Sequence, residues 1–265
     1  MKTNLLLAFF GLIVLNTCGQ APATSEIRII EHPAPELDTI KTIRIYLPAS
    51  YEMSEKRYPV IYMHDAQNLF DKETAFAGEW EVDESLDASE KEVIIVGIDH
   101  GDDKRIDELT PFPNEKYGGG NGDAYVNYIV KNLKPYIDKN FRSKPQREHT
   151  GIFGSSLGGL ISFYGAIKHP ETFGKVGVFS PSFWFSDSIY DFAENAEISE
   201  NVKFYFLAGT EEDETLIPNI NRMIRLLEKK VFEENLVFRT IENGEHNENL
   251  WREAFPEAIE WLQDK

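Results

Sequence analysis

The chain is poor in cysteine, in basic residues and in long apolar runs, and each shortage excludes something. Cys18 is the only cysteine in 265 residues, so no intramolecular disulfide can form. Lys and Arg number 27 against 45 Asp and Glu, a formal net charge of -18. Nucleic acid and anionic membrane surfaces are repelled at long range by such a chain and are not expected as partners. The one continuous apolar run, Leu5–Leu15, has eleven residues, whereas crossing a bilayer takes about 20. Neither H-E-x-x-H nor a cysteine–histidine ligand spacing occurs. The dense acidic stretch containing Asp99, His100, Asp102, Asp103, Asp107 and Glu108 reads as a solvated loop, and no metal or other cofactor is expected.

What is present first is an export signal. Lys2 precedes the apolar run, and Asn16-Thr17-Cys18-Gly19 follows it, the pattern of a secretory segment. Cys18 directly after that run resembles a bacterial lipoprotein signal, with Leu15 at the favoured position. That resemblance implies cleavage before Cys18 and lipidation of it, and an exported, periplasmic or membrane-anchored protein. Residues 1–18 are assigned to the signal, the small and polar 19–25 to a tether, and 26–265 to one domain. Hydrophobic residues at 42% and aromatics at 12%, with 18 Phe and 11 Tyr, supply a sizeable core for a domain of that length.

Strands and helices alternate along the domain. Glu26–Glu31 and Thr39–Leu47 alternate β-branched residues across a proline-rich turn and predict an opening hairpin. Arg57–His64, Glu92–Ile98, Lys175–Phe179, Val202–Leu207 and Leu236–Ile241 are short apolar runs of the buried-strand kind. Asp107–Asp123, rich in Pro and Gly, predicts a long irregular loop beside the site. Helical spacing runs from an N-cap at Asp123 through Tyr125, Ile129, Leu133 and Ile137, with a kink at Pro135; it recurs over Leu157–His169, Leu216–Phe232 and Leu250–Leu262. This order specifies a mostly parallel central sheet with helices on both faces, an α/β class in which functional groups gather at the C-terminal ends of strands.

The chemistry centres on Thr150–Leu160, TGIFGSSLGGL. A strand over Arg147–Phe153 turns sharply into a helix from Leu157. Gly154-Ser155-Ser156-Leu157-Gly158 fits G-x-S-x-G, in which glycines two residues either side of the serine let strand and helix pack without a Cβ clash. Ser155 competes as nucleophile, but only Ser156 has glycine at both flanks. A serine hydroxyl needs a neutral imidazole to take its proton, and the imidazole needs a carboxylate to fix its tautomer. His246, in the loop after the last strand, is the candidate base, although NGEHNEN is also the pattern of a solvated surface. Glu212 is the candidate acid among Glu211–Glu214, a cluster that equally suits a helix N-terminus. The order serine, acid, histidine is that of α/β hydrolases. The Leu157 amide, next to the nucleophile, supplies one donor for an oxyanion.

These residues, together with IRIYLPASY, YPVIYMHDAQNLFD, GEWEVDESLD, VGIDHG, LKPYIDKNFR, the elbow segment through SPSFW, AGTEEDE and NGEHNENLWREAFPEAIEWL, resemble the esterase family of α/β hydrolases. That family contains enterochelin and related siderophore esterases, S-formylglutathione hydrolases, and acetylxylan and feruloyl esterases. The resemblance covers nearly the whole domain. It implies the α/β-hydrolase fold, Ser156 as nucleophile, His246 as base, Glu212 rather than Asp213 as acid, and Leu157 and Ala66 as oxyanion donors. Family members often have glycine at the last position; alanine keeps the backbone donor. Gln67, Tyr117, Phe183 and Trp184, with Phe112 nearby, are the expected substrate-binding residues. The expected reaction is hydrolysis of a small-molecule or carbohydrate ester, acetyl or feruloyl. A siderophore trilactone is the alternative, and an inactive hydrolase-fold binding protein is the alternative of another class.

Overall fold

The computed structural model describes residues 24–89 and 91–264. The expected export signal, Cys18 and all but the last two residues of the expected tether lie outside the described residues.

Among the described residues, eight strands and eight α-helices follow one another as β1 (Glu26–Ala34), β2 (Thr39–Leu47), β3 (Val60–His64), α1 (Val82–Asp87), β4 (Ile94–Ile98), α2 (Arg105–Leu109), α3 (Gly122–Tyr128), α4 (Lys134–Asn140), β5 (Thr150–Ser155), α5 (Leu157–Lys168), β6 (Lys175–Phe179), α6 (Ser188–Asn195), β7 (Lys203–Gly209), α7 (Leu216–Leu227), β8 (Leu236–Ile241) and α8 (Glu248–Gln263). The strands form one sheet in the order β1-β2-β4-β3-β5-β6-β7-β8. The opening hairpin is antiparallel and β2 meets β4 antiparallel; every pairing from β4 to β8 is parallel.

The two-residue period of a strand divides the core into two. Along β3, Val60 and Tyr62 belong to one apolar cluster and Ile61 and Met63 to the other; along β7, Phe204 and Phe206 divide in the same way from Tyr205 and Leu207. Helices α3, α5 and α7 cover the first face, α1 and α8 the second. All five residues of β3 and of β4 are buried, as uninterrupted apolar runs require when both sheet faces are covered.

Several boundaries differ from the sequence pattern for local reasons. The strand before Ser156 starts at Thr150, because Arg147–His149 is a 3-10 turn. The helix expected through Phe232 stops at Leu227: the N–H groups of Lys230 and Val231 both return to the Leu227 carbonyl, and Val231 folds back into the core. The loop expected from Asp107 begins with α2 and is irregular only after Leu109. Asp123 is not an N-cap, for the helix starts at Gly122 after Asn121. Its carboxylate instead accepts from Tyr164 (2.8 Å) and Asn127 (2.9 Å), tying α3 to α5. Between α3 and α4 the chain stays helical through a π turn, Ile129–Leu133. The wide turn accommodates Pro135, which has no N–H to donate and would crowd the carbonyl four residues back.

Candidate active site

The turn after β5 carries the strain its motif predicts. Ser156 has φ 55° and ψ −120°, a region costing on the order of 1–3 kcal/mol for a residue with a side chain. Its backbone is held on both sides: Ser156 N donates to Phe179 O (2.9 Å), and its carbonyl accepts from Ser182 N (3.0 Å) and Leu160 N (3.1 Å). Ser155, by contrast, is the last residue of the strand. The glycine requirement is uneven. A Cβ at Gly154 would sit 2.7 Å from the Gly158 carbonyl carbon, whereas one at Gly158 would meet its nearest atom at 3.4 Å. The second tight position is Gly159, 2.8 Å from Phe179 O.

Two further loops converge on this edge because their backbones touch. A Cβ at Gly209, the end of β7, would lie 2.1 Å from Gly244 O. Glu211 N donates to Gly244 O (2.9 Å) and Thr210 N to Ile241 O (3.0 Å), so the loop after β8 is clamped onto the loop after β7. That contact brings Glu212 to His246. Glu212 Oε2 is hydrogen bonded to His246 Nδ1, and Oε1 accepts from Gly209 N (2.6 Å) and Ser180 Oγ (2.8 Å). The Glu212 side chain is 1% exposed and that of His246 42%. The neighbouring acid does something else: Asp213 accepts from the Thr215 hydroxyl (2.5 Å) and N–H (2.8 Å), which hold its carboxyl below the usual range.

The loop after β3 closes the other side. Asp65, φ 55° and ψ 46°, turns the chain into the short helix Ala66–Asn68. The first turn of α5 lies beneath this loop, since a Cβ at Gly158 would be 3.4 Å from His64 Cβ and 3.5 Å from Asp65 Oδ2. Neither the Ala66 nor the Leu157 N–H has a hydrogen-bond partner among the described residues. Arg105 grips Asp65 with a two-pronged ion pair, Nε–Oδ1 2.7 Å and Nη2–Oδ2 2.8 Å. Burial opposes the charge on Asp65, but the guanidinium outweighs it and lowers the carboxyl pKa.

Ser156 and His246 line one cavity of about 540 Å³, with Arg105, Trp80, Phe76 and Trp251 also in its wall. Three aromatic residues here escaped the sequence reading. Trp80 and Trp251 lie in the segments GEWEVDESLD and NGEHNENLW that carry the family resemblance, and the one usable signal was Trp251 following His246 into a helix. Its ring stands edge-on to His246 (5.1 Å between centroids), and its Nε1 donates to Ser180 Oγ (2.9 Å).

The expected substrate-binding residues fare differently. Phe183 is 0% exposed and packs against Phe163 (5.1 Å) and Phe206, so it belongs to the core and not to the cavity wall. The short 3-10 turn Phe183–Phe185 alternates burial, turning Phe183 and Phe185 inward and Trp184 outward. Trp184 and Tyr117 are exposed and meet edge to face at 5.9 Å, but outside the cavity wall. Phe112 packs on Tyr164 and Phe192. Gln67 bridges two loops, its amide accepting from His100 N (3.1 Å) and donating to His100 O (3.2 Å). It borders a second, polar cavity of about 600 Å³ beyond His100. In the acidic stretch, Asp99 is held by Arg44 (2.8 Å) and Glu108 by Lys41 (2.8 Å).

A family model described as "Putative esterase" matches residues 34–262. The chain is 29% identical over 241 residues to the uncharacterised protein YbbA of Bacillus subtilis (strain 168), covering 83% of this chain and 92% of that protein. A ferulic acid esterase structure matches with a TM-score of 0.69 at 20% identity, over 90% of this chain and 98% of that one. The enterobactin esterase FES of Shigella flexneri matches at 0.73 and 19%, over 92% and 61%. At such identities the two structures speak to the fold alone, which is that of the α/β-hydrolase esterases.

Proposed function

This chain belongs to the esterase family whose model spans residues 34–262, and on that footing we propose that it hydrolyses carboxylic esters through an acyl-enzyme on Ser156. The observation that carries the reading is the Glu212–His246 hydrogen bond at the wall of the cavity that Ser156 also lines. With Nδ1 engaged by Glu212, Nε2 is the nitrogen left to take the Ser156 proton as Oγ attacks the ester carbonyl. The carbonyl oxygen becomes an oxyanion beside the unpartnered N–H groups of Leu157 and Ala66; losing one such donor costs about 10²- to 10³-fold in rate. His246 then protonates the departing alcohol, and water releases the acyl group by the same steps in reverse.

Acetyl or feruloyl esters of carbohydrates suit the cavity better than a siderophore trilactone. Arg105, the cation of its wall, is already paired with Asp65, and Asp102 and Glu248 add negative charge. A metal-bound catecholate, itself anionic, meets no free positive partner there among the described residues. Export is part of the same proposal and rests on the Leu5–Leu15 run and Cys18; mass spectrometry of the mature N-terminus tests it, and an unmodified chain beginning after Cys18 would exclude lipidation. For the chemistry, a fluorophosphonate probe is expected to label the wild type and not Ser156→Ala. An unlabelled wild type, or equal labelling of both, would refute the enzyme in favour of a binding protein on a hydrolase fold.

A further inference from the structure

One charged side chain in the wall of the Ser156 cavity has no part in the reaction just described. Glu248 opens α8, two residues after His246, and is 8% exposed. Its Oε1 accepts from Asn68 Nδ2 at 3.3 Å, while Oε2 has no hydrogen-bond partner among the described residues although the side chain borders the cavity. The backbone at Gly78 presses on it from one side, since a Cβ there would lie 3.3 Å from Glu248 Cβ. Glu248 is therefore hemmed against the cavity, with one oxygen free.

A carboxylate oxygen that borders a cavity and has no protein partner is free to accept from a donor that enters. Burial and the nearby Asp65 carboxylate raise the Glu248 pKa, in keeping with an unmet need for a donor. A neutral donor fits. The same cavity wall carries Trp80, Trp251, Leu69 and Phe76, apolar surfaces on which a flat aromatic ring can lie.

Building on the esterase reading of Ser156, we propose that Glu248 is a specificity determinant that accepts a hydrogen bond from the hydroxyl of a phenolic acyl group held in this cavity. The acyl ring lies among the aromatic walls, its ester carbonyl at Ser156 and its phenol O–H pointing to Oε2. A substrate lacking that hydroxyl leaves the carboxylate unpartnered and is turned over less efficiently.

The test compares kcat/KM for methyl ferulate and for methyl 3-methoxycinnamate, which is the same ester without the phenolic hydroxyl. The wild type is expected to prefer methyl ferulate by about tenfold or more, the scale of a hydrogen bond to a charged group. Glu248→Gln, whose amide oxygen still accepts, should keep part of the preference, and Glu248→Leu should lose it. Equal efficiencies in the wild type would overturn the proposal even if neither variant folds, and so would an undiminished preference in Glu248→Leu. A wild type that takes the fluorophosphonate label but cleaves neither ester would sink this inference and leave the esterase reading standing; one that does not label would sink both.

Discussion

Ser180 donates its hydroxyl proton to Glu212 Oε1 at 2.8 Å, on the carboxylate oxygen that does not face His246. The direction is fixed, because Trp251 Nε1, which can only donate, occupies the Ser180 oxygen at 2.9 Å. Oε1 is thus held by Ser180 and Gly209 from outside the pair that Oε2 forms with His246. Ser180→Ala should lower kcat roughly tenfold with KM little changed, the scale of one hydrogen bond to a charged group. Glu212→Gln should lower it by about a thousandfold or more, since the wrong tautomer of His246 is then favoured. Steady-state kinetics on p-nitrophenyl acetate separate the two, and equal losses would contradict this account of Ser180.

The two glycines of the G-x-S-x-G turn should respond differently to alanine. Gly154→Ala places a methyl 2.7 Å from backbone that cannot yield without moving the elbow, and should cost about 1–3 kcal/mol. Gly158→Ala meets only ordinary contacts, the nearest at 3.4 Å, and should change stability by less. Urea midpoints of the two variants measure the difference.

His64 should make the protein sensitive to acid. It is 3% exposed, its Nδ1 lies 2.8 Å from Tyr125 Oη, and burial, with Arg105 assisting and Asp65 opposing, pulls its pKa down to about 4. The unfolded chain takes up this proton near 6.5, so between pH 6.5 and about 4 it binds more protons than the fold and stability falls as pH falls. The drop in pKa corresponds to roughly 3 kcal/mol. Stability measured across that range should fall less steeply in His64→Gln than in the wild type; parallel curves would remove His64 as the cause.

Lys41 and Glu108 form a buried ion pair, 3% and 5% exposed, and Glu108 also accepts from Gly101 N at 2.9 Å. Lys41→Met alone leaves an unpaired buried carboxylate and should cost about 3–5 kcal/mol. Adding Glu108→Leu should recover much of that loss, as a double-mutant cycle in chemical denaturation would read.

The strands were legible because apolar runs such as VIYMH and IIVGI admit few other fates, and Ser156, Glu212 and His246 because each follows a strand end. What local pattern could not resolve was direction. Glu212 and Asp213 are adjacent carboxylates, yet one bonds His246 and the other turns away to Thr215. Phe183 and Trp184 are adjacent aromatics, one in the core and one in solvent. The cavity was illegible for a related reason: Trp80, Ser156 and Trp251 come from widely separated segments, and no periodicity within one segment records that they meet.

The position of β3 in the sheet bears on how the chain is made. It is flanked by β4 and β5, both later in sequence, and its second neighbour does not begin until Thr150. A nascent chain that has completed β4 still presents one side of a strand that is wholly buried in the finished fold. Open edges of that kind join to other chains. Synthesis of the residues between β4 and β5 is therefore the interval in which self-association competes most strongly with folding.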